Sequence, residues 1–155
     1  MRMGTYSVRL PLDADGFLRR ECPQCLQHFK WHSGPTAGRP EGEVDPVVVF
    51  FCPRCGSSAA PDHWWTQEQL AFARESIHGP ALREAADELE KVFRGVKGLT
   101  YKPGQLDEPE PPTALHEPND MIIVAPPCHP WEPVKVPGEA AARVHCLICG
   151  EVFAA

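Results

Sequence analysis

Six of the seven cysteines stand in three C-x-x-C pairs, Cys22/Cys25, Cys52/Cys55 and Cys146/Cys149; the seventh is Cys128. A C-x-x-C segment folded into a tight knuckle aims two soft thiolate ligands at one point. The first two pairs read C-x2-C-x26-C-x2-C, the ligand supply of a four-sulfur tetrahedral site, for which zinc is the expected ion. Pro23 and Pro53 lie inside their knuckles, and Gly56 follows Cys55 where a reversing chain often needs positive φ. Disulfides fit an odd cysteine count poorly and need an oxidising compartment. A thioredoxin-like redox motif is one C-x-x-C at a helix start; three copies, two of them followed by glycine, do not have that form. Iron–sulfur ligation is the remaining alternative.

The second cluster is less complete. Cys146-Leu147-Ile148-Cys149-Gly150 is a knuckle, but the other half, Pro126-Pro127-Cys128-His129-Pro130, holds one cysteine. His129, His145 and the remote His116 are candidates for the fourth ligand. His129 is preferred because each half then supplies two ligands, whereas His145 would crowd three onto one knuckle. The expected metal ligands are therefore Cys22, Cys25, Cys52 and Cys55 for one ion, and Cys128, His129, Cys146 and Cys149 for a second. If neither neighbouring histidine bound, three cysteines and a water would make an open, catalytic-type zinc site, with Glu132 or Glu151 as candidate base.

On these spacings both clusters resemble the zinc-ribbon fold group, over roughly residues 5–60 and 120–155. The resemblance implies architecture: two knuckles on β-hairpins, with a third strand often completing a small sheet. It implies no substrate, because ribbons of this kind occur in proteins of many activities.

The elements that must position the ligands follow from pattern. The expected class is a small metal-stabilised α+β fold. An N-terminal ribbon spans 1–61, a helical segment 62–98, a Pro-rich acidic linker 99–119 and a C-terminal ribbon 120–155. Strands are predicted at Thr5–Leu10, Gln27–His32, Val47–Phe51, Met121–Ala125 and Gly150–Phe153, and Glu132–Val136 and Arg143–Cys146 flank a turn region at Pro137-Gly138. In the second of these, Phe29 and Trp31 share one face, and His28, Lys30 and His32 the other. Thr66 with Gln69 matches a capping box, and the helix is expected to run to about His78. Gly79-Pro80 then predicts a kink or turn before a second run from about Ala81 to Arg94. Leu82, Ala85, Ala86, Leu89, Val92 and Phe93 form that run's apolar face, which needs a covering partner.

Composition bounds the function. Eighteen prolines and twelve glycines put much of the backbone in turns, so bound metal would supply part of the folding energy. No run of eighteen apolar residues occurs, and Met1–Leu12 has no long apolar stretch, which predicts a cytoplasmic protein. A net charge of −6 argues against a broad electrostatic grip on nucleic acid. Metalloprotease, phosphate-loop, nucleophile-elbow and deaminase motifs are absent. The expected function is a non-catalytic zinc protein acting as a structural or protein-interaction module, with another protein as partner. Trp64, Trp65 and Trp131 are candidate anchors. The alternative is nucleic-acid binding through Arg19, Arg20, Lys30 and Trp31 on the first ribbon, where rings would stack on bases and cations meet phosphate.

Overall fold

The computed structural model describes residues 4–32, 36, 38–40, 48–101, 104–105 and 107–155. Most of the Ser33–Pro46 loop, and Val47 at the start of the third predicted strand, lie outside them. The class is α+β: among the described residues, one α-helix and several antiparallel sheets. The chain divides into two compact units, one containing residues up to Arg9 with Gln67–Leu115, the other Leu10–Thr66 with His116–Ala155.

All strands among the described residues belong to the second unit. β1 (Phe17–Glu21) pairs with β2 (His28–His32), β2 with β6 (Val134–Val136), and β6 with β5 (Ile122–Val124), every pair antiparallel. Segments from both cysteine-bearing ends of the chain thus share one four-stranded sheet. Two small hairpins accompany it, β3 (Phe50–Phe51) with β4 (Ser58–Ala59), and β7 (Val144–His145) with β8 (Val152–Phe153). The predicted strand at Thr5–Leu10 does not form, and β1, which the sequence reading passed over, does. The first segment ends in Leu10-Pro11, and proline has no N–H for a ladder. Phe17–Glu21 instead finds a partner at every position of β2.

The faces of the sheet follow from the period of two. One face carries the buried Leu18, together with Phe29, Trp31, Val124, Val134 and Val136, which pack with Trp64, Val144, Leu147, Cys22 and Cys52 into the core. Burial of a side chain such as Phe29 contributes roughly 1.5–3 kcal/mol. The rings meet edge-on, Phe29 with Trp64 at 5.6 Å and Trp31 with Trp64 at 6.3 Å. Arg20 lies on this apolar face, its guanidinium 4.2 Å from the Trp31 ring and 4.4 Å from the Trp65 ring. Stacking between two indoles makes an arginine tolerable there, although burial pulls its pKa down to about 10 and Nε finds no acceptor.

The opposite face is also covered, which period-two patterning did not foresee. Lys30 and Lys135 face each other across β2 and β6, and both are fully buried. Two ammonium groups in register repel, so the pairing needs an anion between them. Asp13 supplies it: one carboxylate oxygen lies 3.1 Å from Lys30 Nζ and 2.8 Å from Lys135 Nζ. Lys30 also meets Glu117 and Asp120 at 2.9 and 3.0 Å, and Lys135 meets Asp15 and Asn119 at 2.6 Å each. Arg19 reaches Glu117 and Asp120 at 2.9 and 2.7 Å. The acidic end of the Pro-rich segment therefore lies across a row of cations.

In the other unit α1 (Gln67–Arg94) is a single helix that runs through Gly79-Pro80, so the predicted break into two helical runs does not form. Pro80 removes the donor for the Ser76 carbonyl, and the remaining ladder on both sides carries the helix past it. Lys91 pairs with Glu88 one turn back, at 2.8 Å. Along the apolar stripe Leu89 is 46% and Val92 64% exposed, while Leu82, Ala86 and Phe93 are half-buried. The Tyr6 hydroxyl donates to Glu84, Arg83 pairs with Glu108 at 3.1 Å, and Phe93 stacks on Tyr101. No helix among the described residues is long and apolar enough to cross a membrane.

Burial by itself would raise the Asp13 pKa, but hydrogen bonds from Lys135, the Phe17 N–H, Lys30 and the Asp15 N–H more than offset it. Its pKa falls well below the usual carboxylate range. A depressed folded pKa means that the contribution is complete above the unfolded value of about 3.9 and is lost as pH falls through the folded one. Asp13→Ala leaves two buried lysines facing each other and is expected to cost about 3–5 kcal/mol. In urea unfolding followed by tryptophan fluorescence, the gap to wild type is expected to be constant from pH 8 to 5 and to narrow below about pH 4. A gap under 1 kcal/mol at neutral pH contradicts this role.

Candidate metal centres

Each C-x-x-C pair closes the same local turn. The first cysteine's N–H donates to the carbonyl five residues on: Cys22 to Gln27 at 3.1 Å, Cys52 to Ser57 at 2.8 Å, Cys146 to Glu151 at 2.8 Å. Its carbonyl in turn accepts from the N–H four residues on, from Leu26 at 2.9 Å, Gly56 at 2.8 Å and Gly150 at 2.9 Å. That donor residue must take positive φ, which is 78° at Gly56 and 76° at Gly150. The first knuckle puts Leu26 there at φ 59°, a conformation that a side chain makes costly. Inside the turns, backbone N–H groups point at sulfur, from Gln24 to Cys22 Sγ at 3.4 Å and from Arg54 to Cys52 Sγ at 3.3 Å. Such donors favour thiolate.

The knuckles assemble two clusters in the second unit, Cys22, Cys25, Cys52 and Cys55, and Cys128, His129, Cys146 and Cys149. Within each, the candidate ligand atoms all lie within 4.8 Å of one another. In the first, Cys22 and Cys55 sulfurs are 3.7 Å apart and those of Cys25 and Cys52 3.9 Å. A tetrahedron with metal–sulfur bonds of about 2.3 Å has edges of about 3.8 Å. The separations therefore fit a metal ion and are far too long for disulfide bonds. In the second, Cys128 and Cys149 sulfurs are 3.5 Å apart, and His129 Nδ1 is 3.5 Å from Cys146 Sγ. A nitrogen–sulfur edge is shorter, about 3.6 Å, because the metal–nitrogen bond is shorter. Both donor sets can hold a metal ion.

The neighbouring pair Cys128-His129 reaches one point because the chain turns directly after it. The Glu132 N–H donates to the His129 carbonyl at 2.9 Å, with Pro130 at the second position of the turn. The His129 ring is further held edge-on to Trp131 at 5.4 Å. His145 stays outside the cluster, its Nδ1 donating to the Gly150 carbonyl at 3.1 Å. His116 and Glu151 are exposed and not in it either. Burial raises the pKa of Glu132, with Arg39, His129 and His32 pulling the other way.

Without metal the sulfurs are unevenly poised. Burial pushes Cys52 far up, and burial with the sulfurs of Cys149 and Cys146 pushes Cys128 up to about 12. Cys55 would also be raised by burial, but the Ser57 hydroxyl and N–H bring it down to about 7. A metal ion must therefore displace protons to bind, and uptake weakens as pH falls.

Of the basic and aromatic residues singled out for nucleic acid, Lys30 is buried, Arg19 is in internal ion pairs, Arg20 is stacked, and Trp31 packs on the core. Asp13, Lys135 and the knuckle-to-knuckle contacts escaped the sequence reading. Compared with protein families, curated proteins and solved structures, the chain matches none.

Two outcomes are expected. Leu26→Gly relieves the positive-φ strain at a residue 67% exposed, so the metal-loaded chain gains roughly 0.5–1 kcal/mol by chemical denaturation. A loss of stability would assign Leu26 a packing role instead. His129→Ala is expected to weaken metal at the second cluster at least tenfold in chelator competition and to leave the first cluster's ion in place, whereas His145→Ala keeps both ions. The reverse pattern would make His145 the ligand.

Proposed function

We propose that the protein is a non-catalytic zinc protein in which two closed sites hold a small α+β scaffold used as a structural or protein-interaction module. The observation that carries this reading is the pair of four-donor clusters, each with ligand atoms at tetrahedral spacing. Cys22, Cys25, Cys52 and Cys55 bind one zinc; Cys128, His129, Cys146 and Cys149 bind the other. Four protein ligands leave no coordination position for water or substrate, so the ions do not activate a nucleophile and act by fixing the fold. Zinc is favoured over other divalent ions by thiolate-rich tetrahedral donors.

The partner in this reading is another protein. Nucleic-acid binding through Arg19, Arg20, Lys30 and Trp31 is the second reading. What weighs against it is that Glu117, Asp120 and Asp13 already neutralise the cations, and that Trp31 packs on the core. Phosphate contacts would need these internal pairs to break.

Protein produced without added metal is expected to contain two zinc equivalents per chain by elemental analysis, and to bind single-stranded DNA or RNA no better than a neutral control at 50 mM salt. One equivalent removes the second site. Iron with a charge-transfer colour replaces zinc. Salt-sensitive binding lost in Arg19→Ala revives the nucleic-acid reading.

A further inference from the structure

The two clusters are not built from separate hairpins standing apart. The second knuckle of one lies directly against the second knuckle of the other, and the contact is reciprocal. The Phe51 N–H donates to the Leu147 carbonyl at 2.8 Å, and the His145 N–H donates to the Pro53 carbonyl at 2.9 Å. In each case the residue just before the first cysteine of one knuckle bonds the residue just after the first cysteine of the other. Side chains repeat the exchange. A Cβ on Gly56 would lie 2.8 Å from the His145 ring, and a Cβ on Gly150 would lie 2.8 Å from the Phe51 ring. One offset in numbering relates 51 to 145, 53 to 147 and 56 to 150, so the two hairpins meet about a local two-fold.

This interface is made of the same turns that aim the sulfurs. Leu147 and Pro53 each follow a candidate ligand, Cys146 and Cys52, and both of those cysteines are fully buried. A knuckle that loses its metal loses the constraint on that turn, and with it the position of the carbonyl, N–H and glycine that the other knuckle uses. The glycines make the fit narrow, since each lies at positive φ against a ring with no room for a side chain. Close-packed contacts of this kind have discrete arrangements rather than a continuous range.

We infer that the two metal sites are thermodynamically coupled through the Cys52–Cys55 and Cys146–Cys149 knuckles, so that an ion in either one raises the affinity of the other. The inference rests on the reading that both clusters bind metal. Linkage makes the effect reciprocal: the factor by which the second site strengthens the first equals the factor by which the first strengthens the second. A chain so built passes from empty to fully loaded over a narrower range of metal concentration than two independent sites would.

The test is chelator competition on the full chain with zinc, and cobalt absorption as a report of tetrahedral geometry. Cys128→Ala with His129→Ala disables the second site without touching a ligand of the first. The first site is expected to weaken about 5–150-fold, the usual range of coupling between sites. Cys22→Ala with Cys25→Ala is expected to weaken the second site by the same factor. A first-site affinity within twofold of wild type overturns the coupling while leaving the two-site reading intact. A wild-type chain that takes up only one equivalent overturns that reading itself. His145→Ala keeps all eight ligands and removes the ring packed on Gly56. Combined with the disabled second site, it is expected to reduce the coupling factor several-fold, and an undiminished factor overturns the assigned route.

Discussion

Lys30 and Lys135 stand opposite each other in the middle of the four-stranded sheet, and the Asp13 carboxylate between them makes that pairing possible. The constraint matters because β2 comes from the first half of the chain and β6 from the last quarter. Their few paired residues are the seam along which two distant segments become one sheet. Without the anion, two buried ammonium groups would oppose the pairing with more energy than a two-residue ladder returns. With it, Glu117, Asn119, Asp120 and Asp15 close over the row, and the acidic segment becomes part of the fold. A net negative chain here uses its acids to cover its own cations.

Once the seam holds, the knuckles meet. Phe51 and His145 reach across to Leu147 and Pro53, and Gly56 and Gly150 let the rings of the opposite hairpin approach. The apolar core is thin, a handful of valines with Phe29, Trp64 and the buried cysteines. In so small a core, ligation of metal by Cys22, Cys52 and Cys146 would fix residues that are themselves core members. The scaffold and the candidate metal centres are therefore hard to separate energetically, and a mutation in one is felt in the other.

The candidate site was legible in the sequence to an unusual degree, because a C-x-x-C knuckle is a local object. Four residues determine where its two sulfurs point, whatever the rest of the chain does. The start of α1 at Gln67 was equally local, announced by Thr66 and Gln69. Elements that depended on partners were read less well. Thr5–Leu10 has an acceptable alternation and forms no strand, while Phe17–Glu21 was passed over and pairs along its whole length. The helix crosses Pro80 because one missing hydrogen bond is less costly than ending two short helices without caps.

Spacing and residue type by themselves determined that the cysteines come in knuckles and which pairs complement each other, and they favoured His129 over His145 for a two-plus-two supply. These follow from bond lengths and turn geometry within a few residues. The tertiary structure alone decided that Lys30 is buried, that Arg20 lies between two indoles, and that the knuckles of different clusters pack against each other. The reason is that a charged residue in a strand reads as solvent-facing until something far along the chain brings a counter-charge to it. Asp13 and the 117–120 segment lie far from Lys135 and Lys30 in the chain, respectively, and no periodicity within a strand carries information about a partner at that distance.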